Sequence, residues 1–159
     1  MREILCRGKR LYVDEWVYGT LIICQGKYYI ATDTTKITAS YTAISGDGTS
    51  DGLHYNICGL CEVNPETVGQ YTGLKDKNGK KIFEGDILRC VDELNAIVFY
   101  ARVEFGNPNA RYDWGWQLVK IKGDEPNLDI LLWVEAGIDD YVHCQVIGNI
   151  HDNPEYWTR

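Results

Sequence analysis

Apolar and polar residues alternate in short bursts along this chain, and each burst stops at turn-forming residues. Trp16 to Cys24 is one run and Lys27 to Ala31 the next, so Gln25-Gly26 between them predicts a β-hairpin. Lys36 to Ile44, rich in Thr, Ile and Tyr, predicts a third strand. The polar, glycine-rich stretch from Ser45 to Gly52 predicts a loop, and it is the best place for a boundary between a hairpin-rich start and the remainder. Asn64 is suited to cap a short helical turn, with Pro65 at its first position. Asn78-Gly79 predicts a type I′ turn, which needs two residues of positive φ. Ile82 to Val91 reads as a strand region broken at Glu84-Gly85-Asp86. Ala96 to Phe105, Trp114 to Lys120, Leu128 to Val134 and Cys144 to Ile150 complete the predicted strands. No heptad, internal repeat or long amphipathic helix interrupts this pattern.

Composition strengthens the β reading. Five Trp and eleven Tyr favour sheet and supply large side chains for a core in a chain of 159 residues. Charge is uneven. Residues 1–61 hold six basic and six acidic side chains and residues 62–91 five of each, whereas residues 92–159 hold five basic and twelve acidic. The net charge of −7 therefore sits in the last part of the chain. Proteins that bind nucleic acid draw most of their affinity from Lys and Arg against phosphate, so this balance disfavours that role as a default. Met1 to Arg10 lacks the apolar run of a signal peptide, and no stretch approaches the ~20 apolar residues of a membrane span. The expectation is a reducing compartment, in which Cys6, Cys24, Cys58, Cys61, Cys90 and Cys144 are thiols.

The segment from Val63 to Leu88 contains Asn64-Pro65-Glu66-Thr67, Gly69-Gln70-Tyr71-Thr72-Gly73-Leu74, Asn78-Gly79 and Phe83-Glu84-Gly85-Asp86-Ile87-Leu88. It resembles the signature of the YopX family, proteins encoded by phages and prophages of bacteria. Arg7-Gly8-Lys9-Arg10 with Glu15-Trp16-Val17-Tyr18-Gly19 is similar to the family's opening, and Val146 to Glu155 to its close. The resemblance implies a mainly β fold, with an SH3-type β-barrel over residues 62–159 and a β-hairpin-rich segment over 1–61 packed against it as one compact unit. It implies a bacterial cytoplasmic location, no cofactor, and no catalytic residues to carry over. Read without the family, Gly69, Gly73, Gly79 and Gly85 lie where a strand-dense region must bend, with Tyr71, Leu74, Ile82, Phe83 and Ile87 as apolar cover. The segment therefore reads as scaffold.

Three constellations are candidates for chemistry or binding. Cys58-Gly59-Leu60-Cys61 has metal or redox spacing, with His54 nearby, yet no second Cys pair or His pair completes a zinc set. Cys90 and Cys144 read as solitary thiols. Lys75, Lys77, Lys80 and Lys81 crowd one hairpin around Asp76 and could meet a phosphate backbone, or simply keep a sheet edge solvated. Tyr112, Trp114 and Trp116 flank a loop with Arg111, and in an extended strand Trp114 and Trp116 share a face suited to stacking or peptide binding, although one ring is more often core. The carboxylate pairs Asp124-Glu125 and Asp139-Asp140 read as solvated surface. Ser40, Ser45 and Ser50 lack a nucleophile setting, and His143-Cys144 point to opposite faces in a strand. The expectation is a non-enzymatic protein acting through binding of host or phage protein or through homo-oligomers, with no membrane partner. A nucleic-acid module using the 75–81 hairpin is the alternative, and a CxxC metal or redox protein is the remote third.

Overall fold

The computed structural model describes residues 4–32, 37–42, 52–57, 59–92, 94, 96–108, 114–123 and 142–156. These residues form β-strands joined by turns and two short 3₁₀ turns, with no α-helix among them. The described chain divides into two compact units, Ile4–Val68 and a second unit from Gly69 onward.

The first unit is built on an antiparallel sheet of β1 (Cys6–Lys9), β2 (Trp16–Cys24), β3 (Lys27–Ala31) and β6 (Leu60–Val63), in the order β6-β3-β2-β1. Strands β4 (Ile37–Thr42) and β5 (Gly52–Ile57) pair with each other. The predicted hairpin at Gln25-Gly26 is present, with Cys24 opposite Lys27. Gln25 and Gly26 both have positive φ, 51° and 76°, the backbone of a type I′ turn. Cys6, Val17, Ile30 and Val63 form the core, with Leu21, Tyr28, Cys61 and Val68 packed against it. Asn64 caps the 3₁₀ turn Pro65–Thr67 as predicted, its Oδ1 accepting from the Glu66 N–H at 3.1 Å. The Thr67 hydroxyl donates to the Asn64 carbonyl at 2.7 Å and accepts from the Lys9 N–H at 2.9 Å, which ties this turn to β1.

The second unit opens with the hairpin of β7 (Gly69–Lys75) and β8 (Lys81–Phe83). A four-stranded antiparallel sheet follows, made of β9 (Asp86–Asp92), β10 (Ile97–Gly106), β11 (Gly115–Gly123) and β12 (Val142–Asn149) in the order β11-β10-β9-β12. Leu74 and Ile82 of the hairpin share one core with Leu88, Cys90, Phe99, Ala101, Val103, Trp116, Leu118 and Val146 of the sheet. Period-two alternation is plain on β10, where Phe99, Ala101 and Val103 are buried in turn. Strand β9 is buried on both faces through Ile87, Leu88, Cys90 and Val91, as suits a central strand. Among the described residues no pairing joins β11 to β12, so the closed SH3-type barrel is not seen there; the fold stands as mainly β and antiparallel. The predicted strand Leu128–Val134 and residues 45–51 of the predicted loop lie outside the described residues, while Gly52, the last residue of that loop, begins β5.

Two motifs shape this unit through side chains bonded to backbone. Between β8 and β9, the buried Asp86 carboxylate accepts from the Phe83 N–H at 2.8 Å, and the Gly85 N–H donates to the Val103 carbonyl at 2.9 Å. After β12, Asn149 Oδ1 accepts from the His151 and Asp152 N–H groups at 2.9 and 3.0 Å. Asn153 packs back over the strand so closely that a Cβ on Gly148 would meet its Oδ1 at 2.0 Å and push that side chain aside.

Candidate interaction surface

The predicted basic hairpin holds its lysines but not its predicted turn. Asn78 does not have positive φ, whereas Gly79 sits at 81°. The Gly79 N–H donates to the Asp76 carbonyl at 2.9 Å and the Asp76 N–H to the Lys80 carbonyl at 2.8 Å. This is a three-residue loop, a type I turn closed by a left-handed glycine, in place of type I′. The physical reason is Asp76. Its Oδ1 accepts from the Asn78 and Lys80 N–H groups at 2.8 and 2.9 Å, which fixes the loop from inside. Its Oδ2 accepts from the Val146 N–H of β12 at 3.0 Å, while the Lys77 N–H donates to the Cys144 carbonyl at 3.1 Å. The carboxylate is thus spent on backbone and only 8% exposed.

Burying Asp76 leaves the lysines as the charge on the outside of this loop. Lys75, Lys77 and Lys80 are exposed. Lys75 and Lys81 are direct cross-strand partners, an arrangement of like charges that costs stability. Lys81 is half-buried, with its ammonium 5.0 Å from the centroid of the Tyr71 ring.

The aromatic candidates divide. Trp116 is only 3% exposed and belongs to the core, so it does not share an exposed face with its neighbour. Its buried indole Nε1 has no hydrogen-bond partner. Trp114 lies just before β11 and is 78% exposed. Tyr112 lies outside the described residues. A residue missed by the sequence joins them: Phe105, cross-strand partner of Trp116, is 59% exposed, and the two rings meet edge to face at 4.9 Å. Phe105 continues the buried row of β10 past the end of the core, so alternation alone marks it as apolar without marking it as exposed. The hairpin ends at the pair Gly106–Gly115, and Trp114 lies over Gly106. One end of the β10–β11 hairpin therefore presents Phe105 and Trp114 to water over a buried Trp116.

The cysteine candidates also divide. Cys61 is half-buried in β6, opposite Ile30, so it sits mid-ladder and not at the start of a helix as a thioredoxin-like site requires. Cys58 and the His54 side chain lie outside the described residues, and among those described no group of three His, Cys, Asp or Glu stands together to hold a metal. Cys90 and Cys144, read from sequence as solitary, are direct partners across β9 and β12. A hydrogen bond with Cys144 and then burial push the Cys90 thiol far up. Their 54-residue separation, from position 90 to 144, leaves no spacing signal in the sequence. No described helix is long and apolar enough to cross a membrane.

Comparison with known proteins bears on the fold and the family. The chain superimposes on the solved structure titled protein EF1440 from Enterococcus faecalis with a TM-score of 0.52 and 22% identity, covering 99% of this chain and 100% of that one. That likeness supports the fold. No curated protein matches. The model for the YopX protein family matches residues 15–157, nearly the whole length, and on that match the chain belongs to the YopX family.

Proposed function

We propose that this protein acts by binding protein, a second copy of itself included, through the aromatic end of the β10–β11 hairpin, and that it is not an enzyme. The observation that carries this reading is the exposure of Trp114 and Phe105 at one hairpin end. Large rings left in water cost hydration free energy that docking recovers, and Trp is the side chain most often found as an interface anchor. Family membership supports reading it as a phage or prophage accessory protein working in the cytoplasm of a bacterial host. The strands of the second unit, sharing a single core, support an SH3-type arrangement there.

The test compares the wild-type chain with the double variant Phe105→Ser, Trp114→Ser by sedimentation and by capture from bacterial lysate. The expected result is concentration-dependent self-association or a captured partner for wild type, lost in the variant at unchanged melting temperature. A wild-type monomer at its highest soluble concentration, together with identical captures by both chains, contradicts the reading.

The buried Asp76 favours a second reading, in which Lys75, Lys77, Lys80 and Lys81 meet a nucleic-acid backbone. Such binding weakens steeply with salt, so a fluorescence titration of single- and double-stranded DNA from low to physiological ionic strength decides it. No binding at low salt removes it.

A further inference from the structure

The observation is a pair of thiols that strand register brings face to face. Cys90 of β9 and Cys144 of β12 are Cα partners in an antiparallel ladder, with Val91 opposite His143 and Arg89 opposite Gln145 on the flanking rungs. Directly opposite residues of such a ladder have Cα atoms roughly 4.5–5.5 Å apart, inside the roughly 4.4–6.8 Å range of disulfides. Both side chains lie on the face that packs the core: Cys90 is a core residue and Cys144 packs against it. The two are free thiols, unequal in exposure, Cys90 buried and Cys144 half-buried.

We propose that Cys90 and Cys144 form a reversible cross-strand dithiol–disulfide site, closed by a small peroxide oxidant that reaches Cys144 first. Order follows from access, since Cys144 is half-buried and Cys90 buried. Burial and the bond to Cys144 hold Cys90 in its protonated form, and a protonated thiol is a poor nucleophile. The Cys144 sulfur attacks one peroxide oxygen and gives up its proton, the O–O bond breaks, and the departing hydroxyl takes that proton and leaves as water, giving a Cys144 sulfenic acid. The Cys90 sulfur then attacks the Cys144 sulfur. The S–O bond breaks, and the departing hydroxyl takes the Cys90 proton as a second water. Two thiols are oxidised by two electrons and one peroxide is reduced to two waters. A dithiol reductant reverses the linkage by exchange.

The closed site would also brace the basic hairpin, because the Cys144 carbonyl accepts from the Lys77 N–H and the Asp76 carboxylate holds Val146, two residues on. Closing a loop of this length restricts the unfolded chain, so oxidation raises the melting temperature by about 5 °C or more.

The experiment treats the folded full-length protein with a small excess of hydrogen peroxide, blocks remaining thiols under denaturing conditions, and maps the peptides by mass spectrometry. The expected result is a peptide pair joined through Cys90 and Cys144, two hydrogens lighter than its parts and released by dithiothreitol. Near-ultraviolet circular dichroism is retained and the melting temperature is raised. The exposed Cys24 supplies an internal control for non-specific oxidation. Recovery of Cys90 and Cys144 as separately blocked thiols while Cys24 is oxidised overturns the proposal. A linkage that appears only after the protein unfolds overturns it as well. The wild-type readout needs no variant, and Cys144→Ser adds the expectation that no linkage to Cys90 forms.

Discussion

The hairpin at 75–81 and the far end of the β10–β11 hairpin use their side chains in opposite ways. In the first, Asp76 turns its carboxylate inward and gives both oxygens to backbone N–H groups, two in its own loop and one on β12. In the second, Phe105 and Trp114 leave large apolar surface in water while Trp116 fills the core beneath. A polar group in the middle of a motif is therefore no sign of a reactive site when the backbone has already used it. An apolar group past the end of a core row is the better sign of contact with something else. The same contrast explains why Gly79 and the Phe83-Glu84-Gly85-Asp86 turn read as scaffold: each serves the path of the chain.

Four substitutions test this contrast, the most destabilising first. Trp116→Ala should cost about 3–5 kcal/mol, the range for truncating a buried aromatic, measured by denaturant unfolding. Asp76→Ala should cost about 2–4 kcal/mol, because the Val146 N–H loses its acceptor within the fold and the hairpin loop loses its internal anchor. A loss as small as that of an exposed surface residue would mean the carboxylate is not the anchor described. Gly79→Ala should cost about 1 kcal/mol, since alanine must adopt φ near 81° but meets open space there. Trp114→Ser should change stability by under about 0.5 kcal/mol while reducing association, which separates surface from scaffold at a single hairpin end.

Much of the scaffold was legible because turn chemistry and alternation are local. Trp16–Cys24 and Lys27–Ala31 form strands with the predicted ends, and Asn64 caps the predicted turn. Strands β1, β5, β6 and β7 were not foreseen. Cys6-Arg7-Gly8-Lys9 and Leu60-Cys61-Glu62-Val63 are too short and too polar for alternation to show. Arg7 is nonetheless buried, its guanidinium 4.8 Å from the centroid of the Trp16 ring, a packing arrangement that only the tertiary fold supplies. The Asn78-Gly79 turn type was misread because the deciding group, the Asp76 carboxylate, is bonded partly to a residue 70 positions away. The split between Trp114 and Trp116 follows from where β11 begins, one residue after Trp114. The Cys90–Cys144 rung depends on register between strands far apart in sequence, which no local pattern encodes.

The most direct test of the scaffold claim is amide hydrogen exchange at Asn78, Lys80 and Val146 in the full-length protein, with Asp76→Ala alongside. The account predicts that all three amides are protected in the wild type and that all three lose protection together in the variant. Exchange of Asn78 and Lys80 at the rate of an open loop in the wild type, or protection unchanged in Asp76→Ala, would contradict it.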